Sequence, residues 1–373
     1  MPRNIVLCSD GTGNRGGKGY GTNVWWLYRA IDRNKDQIAF YDDGVGTEDN
    51  KYVRLFGGAT GWGFTRNVKD LYKSLVRNYR PADETYPGDD IYLFGFSRGA
   101  YTVRALAAFI IYCGIIKDGL SMSERDLDKT LDRLIEKYKN RKSGDPPINA
   151  NDPNFHKANI KCIGVWDTVS AIGVPFDIGL KRFIEKNFFA FNFKDQDLSQ
   201  DVEHGFHALS IDDQRMSFHP ILWNARRGIE QVWFAGVHSN VGGGYPKQGM
   251  AHVALDWMME KVAYRTEKNG ESWGIHFDDD MRKDATLFAN VHDKLYDSRA
   301  GLAAYYRYRP RDIEPPIPQN SNASESGEAE ICIHKSAFDR IYARTLGYNP
   351  GNIPCERNIK VISATASATD ATM

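Results

Sequence analysis

The sequence predicts an α/β protein whose mostly parallel sheet is doubly wound, with helices on both faces. Short apolar runs alternate with longer helical patterns through the first two-thirds of the chain. Glycine and polar residues follow several of these runs, at the strand ends where open α/β sheets bind ligands. With 373 residues, 42% of them hydrophobic, the chain can bury a large core.

The predicted strands and helices alternate as parallel βαβ units require. Apolar runs predict strands at residues 4–9, 38–41, 90–96, 159–166 and 231–237. Helical periodicity predicts helices at residues 24–33, 66–79, 99–115, 127–142 and 252–267. Since parallel strands end at one edge of the sheet, residues that follow different strands can meet there.

Two parts of the chain fit this alternation less well. Residues 171–218 are too long for a simple crossover and predict a helical and aromatic insertion beside the sheet. Its FFAF cluster at 188–191 could form a lid or an acyl-chain wall, but we favour buried core. We therefore predict a core over residues 1–270, with a helical and loop extension over 271–373 packed on it. Residues 319–330 read as a solvated loop, and the terminal tail as frayed.

Composition excludes several functional classes. Lys plus Arg and Asp plus Glu both total 48, so charge favours neither nucleic acid nor an anionic membrane as partner. The amino-terminal stretch lacks the apolar region of a secretory signal, and the longest apolar run, 105–116, is too short for a transmembrane segment. Five widely spaced cysteines without a CxxC pair predict synthesis in a reducing cytoplasm.

The segment YLFGFSRGAYTVR, residues 92–104, carries the strongest chemical signal. An apolar strand, a Gly-x-Ser-x-Gly turn and a helix form a nucleophile elbow, in which the glycines permit a sharp turn and the serine hydroxyl is held above the sheet edge. The alternative is a tight structural turn, since the five-residue pattern also arises by chance. The strand–turn–helix context favours Ser97 as the nucleophile.

A nucleophilic serine needs a base, and the base needs an orienting acid. Asp167 follows the strand in IKCIGVWDTV, and His238 follows the strand in GIEQVWFAGVHSN. The order Ser97, Asp167, His238 is that of α/β-hydrolases. His207 is the strongest rival base, and Asp10 and Asp43 are rival acids at strand ends.

An oxyanion site is expected beside the elbow. The amide of Arg98 begins the helix after the serine and can stabilise an oxyanion. A second donor is expected from Gly11 or Thr12, because the first and third strands are neighbours in a flavodoxin-like order. In the equally open alternative, this turn only bonds its own backbone through Asp10 and Asn14. The predicted substrate-binding residues are Asp10 and Phe96, and HALSIDDQR predicts a buried Asp213–Arg215 arrangement.

Two other chemistries remain open at this stage. Asp10, Asp43, Asp167 and His238 could ligate a divalent ion in a phosphoesterase, with Ser97 as a bystander. The Asp-Gly-Thr-Gly turn is also similar to phosphate-cradling loops of nucleotide-binding proteins, although this match is weak. A binding protein with a vestigial site is disfavoured because serine, acid and base are kept together. The serine hydrolase hypothesis needs no metal or organic cofactor.

Six segments form a recognisable set: CSDGTGN, YDDGVGT, YPGDDIYLFGFSRGAYTVRALA, GVWDTVSAIG, HALSIDDQR and VWFAGVHSNVGGGY. As a set they resemble a known family of α/β-hydrolases, typified by the phospholipase effectors of bacterial type VI secretion. The resemblance implies ester hydrolysis, in some members of glycerophospholipids, with Ser97 as nucleophile, Asp167 as acid and His238 as base. It also implies an ester or phospholipid substrate, transient membrane contact, an immunity or chaperone protein as partner, and export without a signal peptide.

Overall fold

The fold is seen in a computed structural model, which describes most of the chain. The described residues are 2–11, 16–17, 19–43, 61–142, 144–150, 152–169, 198–267, 269–316, 330–354 and 359–363. Among them, no helix is both long and apolar enough to cross a membrane.

A central eight-stranded sheet organises the fold, and all of its neighbouring strands pair in parallel. The strands are β1 Asn4–Ser9, β2 Gln37–Asp42, β3 Asp90–Phe96, β4 Ile160–Trp166, β5 Val202–Ser210, β6 Ile229–Phe234, β7 Ile331–His334 and β8 Ile359–Ile362. They lie in the order β8-β7-β6-β5-β4-β3-β1-β2. The switch point therefore falls between β1 and β3, where parallel sheets of this kind hold their ligands.

Eight α-helices are seen in the described ranges, along with short peripheral elements. Two-residue strands form the ladders Ile115–Ile116 with Phe155–His156 and Arg265–Thr266 with Ser272–Trp273. Single 3-10 turns occupy Ile148–Ala150, Met216–Phe218, Gly301–Tyr305 and Thr345–Gly347. The α-helices are α1 Asn23–Ala30, α2 Gly61–Asn78, α3 Arg98–Cys113, α4 Glu124–Lys139, α5 His238–Gly242, α6 Gly249–Val262, α7 Asp279–Leu287 and α8 Lys335–Tyr342.

The sheet is buried on both faces because side chains of each strand alternate between two core layers. In β1, Ile5 and Leu7 enter the layer formed with α2, α3 and α4. Val6 and Cys8 enter the opposite layer, which is formed with α1 and α6. This two-sided burial explains why the central strands read as continuous apolar runs rather than as alternating patterns.

The predicted doubly wound α/β fold is confirmed, with every predicted strand and helix present and its ends shifted by up to five residues. The neighbouring positions of β1 and β3 are also as predicted. The insertion needs correction, because Val202–Ser210, placed in it by the sequence, is the central strand β5. Residues 170–197, with the FFAF cluster, lie outside the described residues, as do 319–329 and 364–373.

The secondary structure of the carboxyl-terminal region also differs from the prediction. Residues 271–373 were expected to supply helix and loop, yet Ile331–His334 and Ile359–Ile362 extend the central sheet beyond β6. Each is only four residues long, and the alternation within so short a segment gives little signal. The boundary near residue 270 stays a prediction.

Candidate active site

Ser97 lies at a sharp turn between β3 and α3. Its φ of 58° and ψ of −121° are unusual for a residue with a side chain. The flanking glycines are needed for space, since a Cβ on Gly99 would lie 2.1 Å from the Ser9 carbonyl oxygen and one on Gly95 would lie 2.5 Å from the Gly99 carbonyl oxygen. Because these glycines have no side chain, α3 can pack directly against β1 and the turn can hold Ser97 above the sheet edge. The predicted elbow geometry is therefore present.

We expect Gly99→Ala to destabilise the protein by about 3 kcal/mol or more, because the new methyl group would meet backbone atoms that cannot rotate away. A loss of stability would be informative, because alanine normally stabilises a helix relative to glycine by about 1 kcal/mol. Urea unfolding would measure the loss. Gly351→Ala is the matched control, because nothing lies within 4 Å of its Cβ position. Equal stability of the two variants would contradict the close approach of α3 to β1.

Three side chains that follow separate strands converge above the sheet edge. The Ser97 hydroxyl lies 2.8 Å from His238 Nε2, in position to donate a hydrogen bond. His238 Nδ1 lies 2.5 Å from Asp167 Oδ2. Ser97 directly follows β3 and Asp167 directly follows β4, whereas His238 begins α5 after β6. The intervening strand β5 brings Ser210 to the same edge.

The Asp167 carboxylate is fully buried and accepts hydrogen bonds at both oxygens. Arg311 donates two, from Nη1 to Oδ1 at 3.0 Å and from Nη2 to Oδ2 at 2.9 Å. Ser210 donates its amide to Oδ1 at 3.0 Å and its hydroxyl to Oδ2 at 3.2 Å. Burial alone would raise the pKa of Asp167, but Arg311 and His238 outweigh it and hold this pKa well below its usual value. Asp167 is therefore an anion at neutral pH.

His238 is held on three sides. Its ring lies between Phe96, with centroids 4.7 Å apart, and Phe218, with centroids 5.0 Å apart. Its backbone N–H donates to Asp213 Oδ2 at 3.1 Å, and Arg215 binds the same carboxylate through two nitrogens. Burial lowers the pKa of His238 below its ordinary value of 6.5, against the opposing effect of Asp167. The imidazole is thus neutral at pH 7, the form that can accept a proton.

The predicted Asp213–Arg215 arrangement is confirmed, since the carboxylate is fully buried and the two side chains are 2.7 Å apart at their shortest contact. Arg215 also lies over the Phe218 ring, 3.4 Å from its centroid. The pair therefore fixes both the backbone of His238 and one of the rings that pack on its imidazole.

The remaining predicted residues occupy different environments. Arg98 begins α3, so its amide lies at the positive end of the helix beside Ser97. The Gly11 N–H donates to Asp10 Oδ1 at 2.6 Å, and Thr12 lies outside the described residues. Asp10 Oδ2 accepts hydrogen bonds from the hydroxyl groups of Thr22 and Tyr41, both at 2.5 Å. This network matches the alternative in which the turn bonds itself, and the oxyanion and substrate roles stay predictions.

The rival base and the alternative metal site are less well supported by the geometry. His207 is buried, accepts the Thr168 N–H at 3.1 Å, and has its pKa lowered to about 3 by burial. Asp167, a metal ligand in that alternative, already accepts hydrogen bonds from the Arg311 guanidinium at both carboxylate oxygens. Within the described ranges, no three His, Cys, Asp or Glu side chains are grouped so that they could hold a metal ion.

Two residues bonded to Asp167 were missed from the sequence. Ser210 lies in the motif HALSIDDQR, but the strand that it ends, Val202–Ser210, has no local pattern that predicts it. Arg311 lies 144 residues from Asp167 in YRYRPRD, where several similar arginines occur and none stands out. Only the tertiary structure distinguishes it.

A doubly wound parallel sheet with a strained serine at the strand-to-helix turn after β3 is the architecture of the α/β-hydrolase class. The chain belongs to the family described as type VI secretion system (T6SS), phospholipase effector Tle1-like, catalytic domain, whose model matches residues 3–261. The matched residues include Ser97, Asp167 and His238.

Comparison with individual proteins gives more distant similarities. The chain is 26% identical over 247 residues to the uncharacterized protein YEL023C of Saccharomyces cerevisiae, covering 58% of this chain and 32% of the relative. A structure of an uncharacterized protein from Pseudomonas aeruginosa aligns with a TM-score of 0.47 and 17% identity, over 78% of this chain and 49% of that one. The Tle1 effector bound to the VgrG spike aligns with a TM-score of 0.39 and 20% identity, over 66% and 52%. The chain thus spans a third to a half of these proteins.

Proposed function

We propose that this chain hydrolyses carboxylic ester bonds of glycerophospholipids through a covalent acyl-enzyme, with Ser97 as nucleophile, His238 as general base and Asp167 as orienting acid. The observation that carries the proposal is the 2.8 Å hydrogen bond between the Ser97 hydroxyl and a neutral His238 whose other nitrogen is bonded to Asp167. This is the arrangement that activates a serine for acyl transfer.

In the first step, Ser97 Oγ attacks the ester carbonyl carbon and its proton passes to His238 Nε2. The tetrahedral intermediate collapses when the protonated His238 donates to the leaving alcohol oxygen. Water then attacks the acyl-enzyme, with His238 accepting its proton, and Ser97 is regenerated as the acid is released. Asp167 keeps the imidazole in one tautomer and stabilises its protonated form without itself accepting the proton.

The oxyanion of each intermediate is proposed to be stabilised by the amide of Arg98, which lies at the amino terminus of α3. Gly11 can serve as a second donor only if its N–H leaves the Asp10 carboxylate, to which it donates in this structure. Thr12 remains a candidate by its position in the sequence. Phe96, packed against His238, is proposed to contact the substrate next to the reacting carbonyl.

The phospholipid substrate and the cellular route are further parts of the proposal. The family description names phospholipase effectors of type VI secretion. We accordingly propose glycerophospholipid as substrate, transient contact with a membrane surface, synthesis in the cytoplasm and export that does not use a signal peptide. A partner that delivers the protein or holds it inactive before export, a chaperone or an immunity protein, fits the same role.

A fluorophosphonate probe tests the nucleophile directly. We expect one covalent adduct, mapped by peptide mass spectrometry to Ser97, with parallel loss of hydrolysis of a short p-nitrophenyl ester and of phosphatidylglycerol vesicles. EDTA should leave both activities unchanged. Labelling at another residue would overturn the assignment of the nucleophile. Loss of activity in EDTA together with resistance to the probe would favour the metal-dependent phosphoesterase instead.

A further inference from the structure

We propose that Arg311 is a positioning residue of this active site, which orients Asp167 and favours the neutral form of His238. The inference rests on the proposed serine hydrolase function and names a component that lies beyond residues 3–261, the part matched by the family. Hydrolysis by the matched core would then depend on a side chain supplied by the carboxyl-terminal region.

The contact between Arg311 and Asp167 is specific in its geometry. The two terminal guanidinium nitrogens reach the two carboxylate oxygens at 3.0 and 2.9 Å, and both side chains have no solvent exposure. Such parallel bonds fix the plane of the carboxylate as well as its charge. The plane matters because Asp167 Oδ2 is the oxygen that lies 2.5 Å from His238 Nδ1.

The carboxyl-terminal region also anchors Arg311. Asn352 donates one hydrogen bond to the Arg311 carbonyl oxygen at 3.1 Å and another to the Ile211 carbonyl oxygen at 2.9 Å, next to the end of β5. Ile313, two residues further on, is buried in the cluster that also holds Ile331 and Ile333 of β7. The guanidinium is therefore delivered to the active site by a fixed backbone.

Arg311 also affects the charge of His238. Arg311 Nη2 and His238 Nδ1 bond the same oxygen of Asp167, so a protonated His238 would place two cations on one carboxylate atom. This repulsion favours neutral imidazole, as burial does. Removing the arginine charge should therefore raise the pKa of His238. The other charged or titratable groups that act on this pair are Asp213, Arg215 and His207.

The test compares pH profiles of kcat/KM for a short p-nitrophenyl ester in the full chain and its Arg311 variants. Hydrolysis needs neutral His238, so the rate falls as pH drops through the pKa of that group. In Arg311→Met, we expect this acid limb to move up by about one pH unit. We also expect kcat to fall by about 10²-fold because Asp167 loses its orientation, with KM changed by less than about twofold. Arg311→Lys keeps the positive charge but loses the two parallel hydrogen bonds to the carboxylate. This variant should leave the acid limb in place and restore part of kcat.

Arg340→Met is the matched control. Arg340 is another buried arginine of the same region, but it donates to the carbonyl oxygens of Val291 and Asp293 and lies outside the active site. A limb that stays in place or moves down in folded Arg311→Met, or that moves equally in Arg340→Met, would overturn the proposal. If Arg311→Met does not fold, Arg311→Lys decides, since unchanged kcat there would overturn the orienting role. Failure of the proposed function is separate, because wild-type protein would then form no adduct at Ser97.

Discussion

Ser97→Ala is expected to lower kcat/KM for ester substrates by about 10⁴-fold or more while leaving the fold intact. Without the hydroxyl no acyl-enzyme can form, and only the oxyanion donors and substrate binding still contribute. Initial rates on p-nitrophenyl butyrate and on phosphatidylglycerol vesicles would measure the loss. Ser74→Ala is the matched control, because Ser74 lies on α2, where its hydroxyl donates to the Asp70 carbonyl oxygen. Residual hydrolysis within tenfold of wild type would contradict the assignment.

The backbone at Ser97 adds a second, thermodynamic readout. At φ 58° the serine is in a conformation that glycine adopts without strain, whereas any Cβ costs about 1–3 kcal/mol there. Ser97→Gly should therefore be as inactive as Ser97→Ala yet more stable than it by about 1 kcal/mol. Such a gain would mean that the fold sacrifices stability to present the hydroxyl. If urea unfolding shows no difference between the two variants, the strained elbow is not present in solution.

Local signals were sufficient for the elements that carry Ser97, Asp167 and His238. The buried strand β3 matches its predicted bounds, because its apolar run is set off by Pro-Gly-Asp before it and by the elbow glycines after it. The end of β4 was equally clear. Since parallel strands share one carboxyl edge, the convergence of residues far apart in sequence could be predicted before any distance was known.

Elements whose stability comes from tertiary partners were not predictable in the same way. Strand β5 carries the polar residues Glu203 and His204 after its first residue, and its buried His207 is accommodated through hydrogen bonds with Thr168 and Gln231 rather than by apolar character. The contact between Arg311 and Asp167 brings together parts of the chain that are far apart in sequence. Asp167 follows β4, and Arg311 lies in the carboxyl-terminal region, where Asn352 bonds its backbone. Arg311 is one of several arginines in its segment, and nothing in the local sequence indicates that it has a buried partner. Periodicity and motifs therefore could not identify Arg311.

Asp167→Asn is expected to impair both activity and stability. We expect kcat to fall by about 10⁴-fold, because a neutral amide cannot hold the required tautomer of His238 or stabilise its protonated form. The free energy of unfolding should also fall by about 3–5 kcal/mol, since Arg311 would be left as a buried cation without its partner. Backbone strain is not the reason, because asparagine tolerates the φ of 42° at this position.

A double variant separates the two effects of Asp167→Asn. Adding Arg311→Gln removes the unpaired cation, and replacing both members of a buried ion pair is often close to neutral. Asp167→Asn with Arg311→Gln should therefore regain most of the stability measured by urea unfolding, while kcat stays as low as in the single variant. Recovery of activity with stability would contradict the role of Asp167 in orienting His238. Equal instability of the single and double variants would instead mean that the unpaired Arg311 cation is not what destabilises Asp167→Asn, which would contradict the pairing of the two residues.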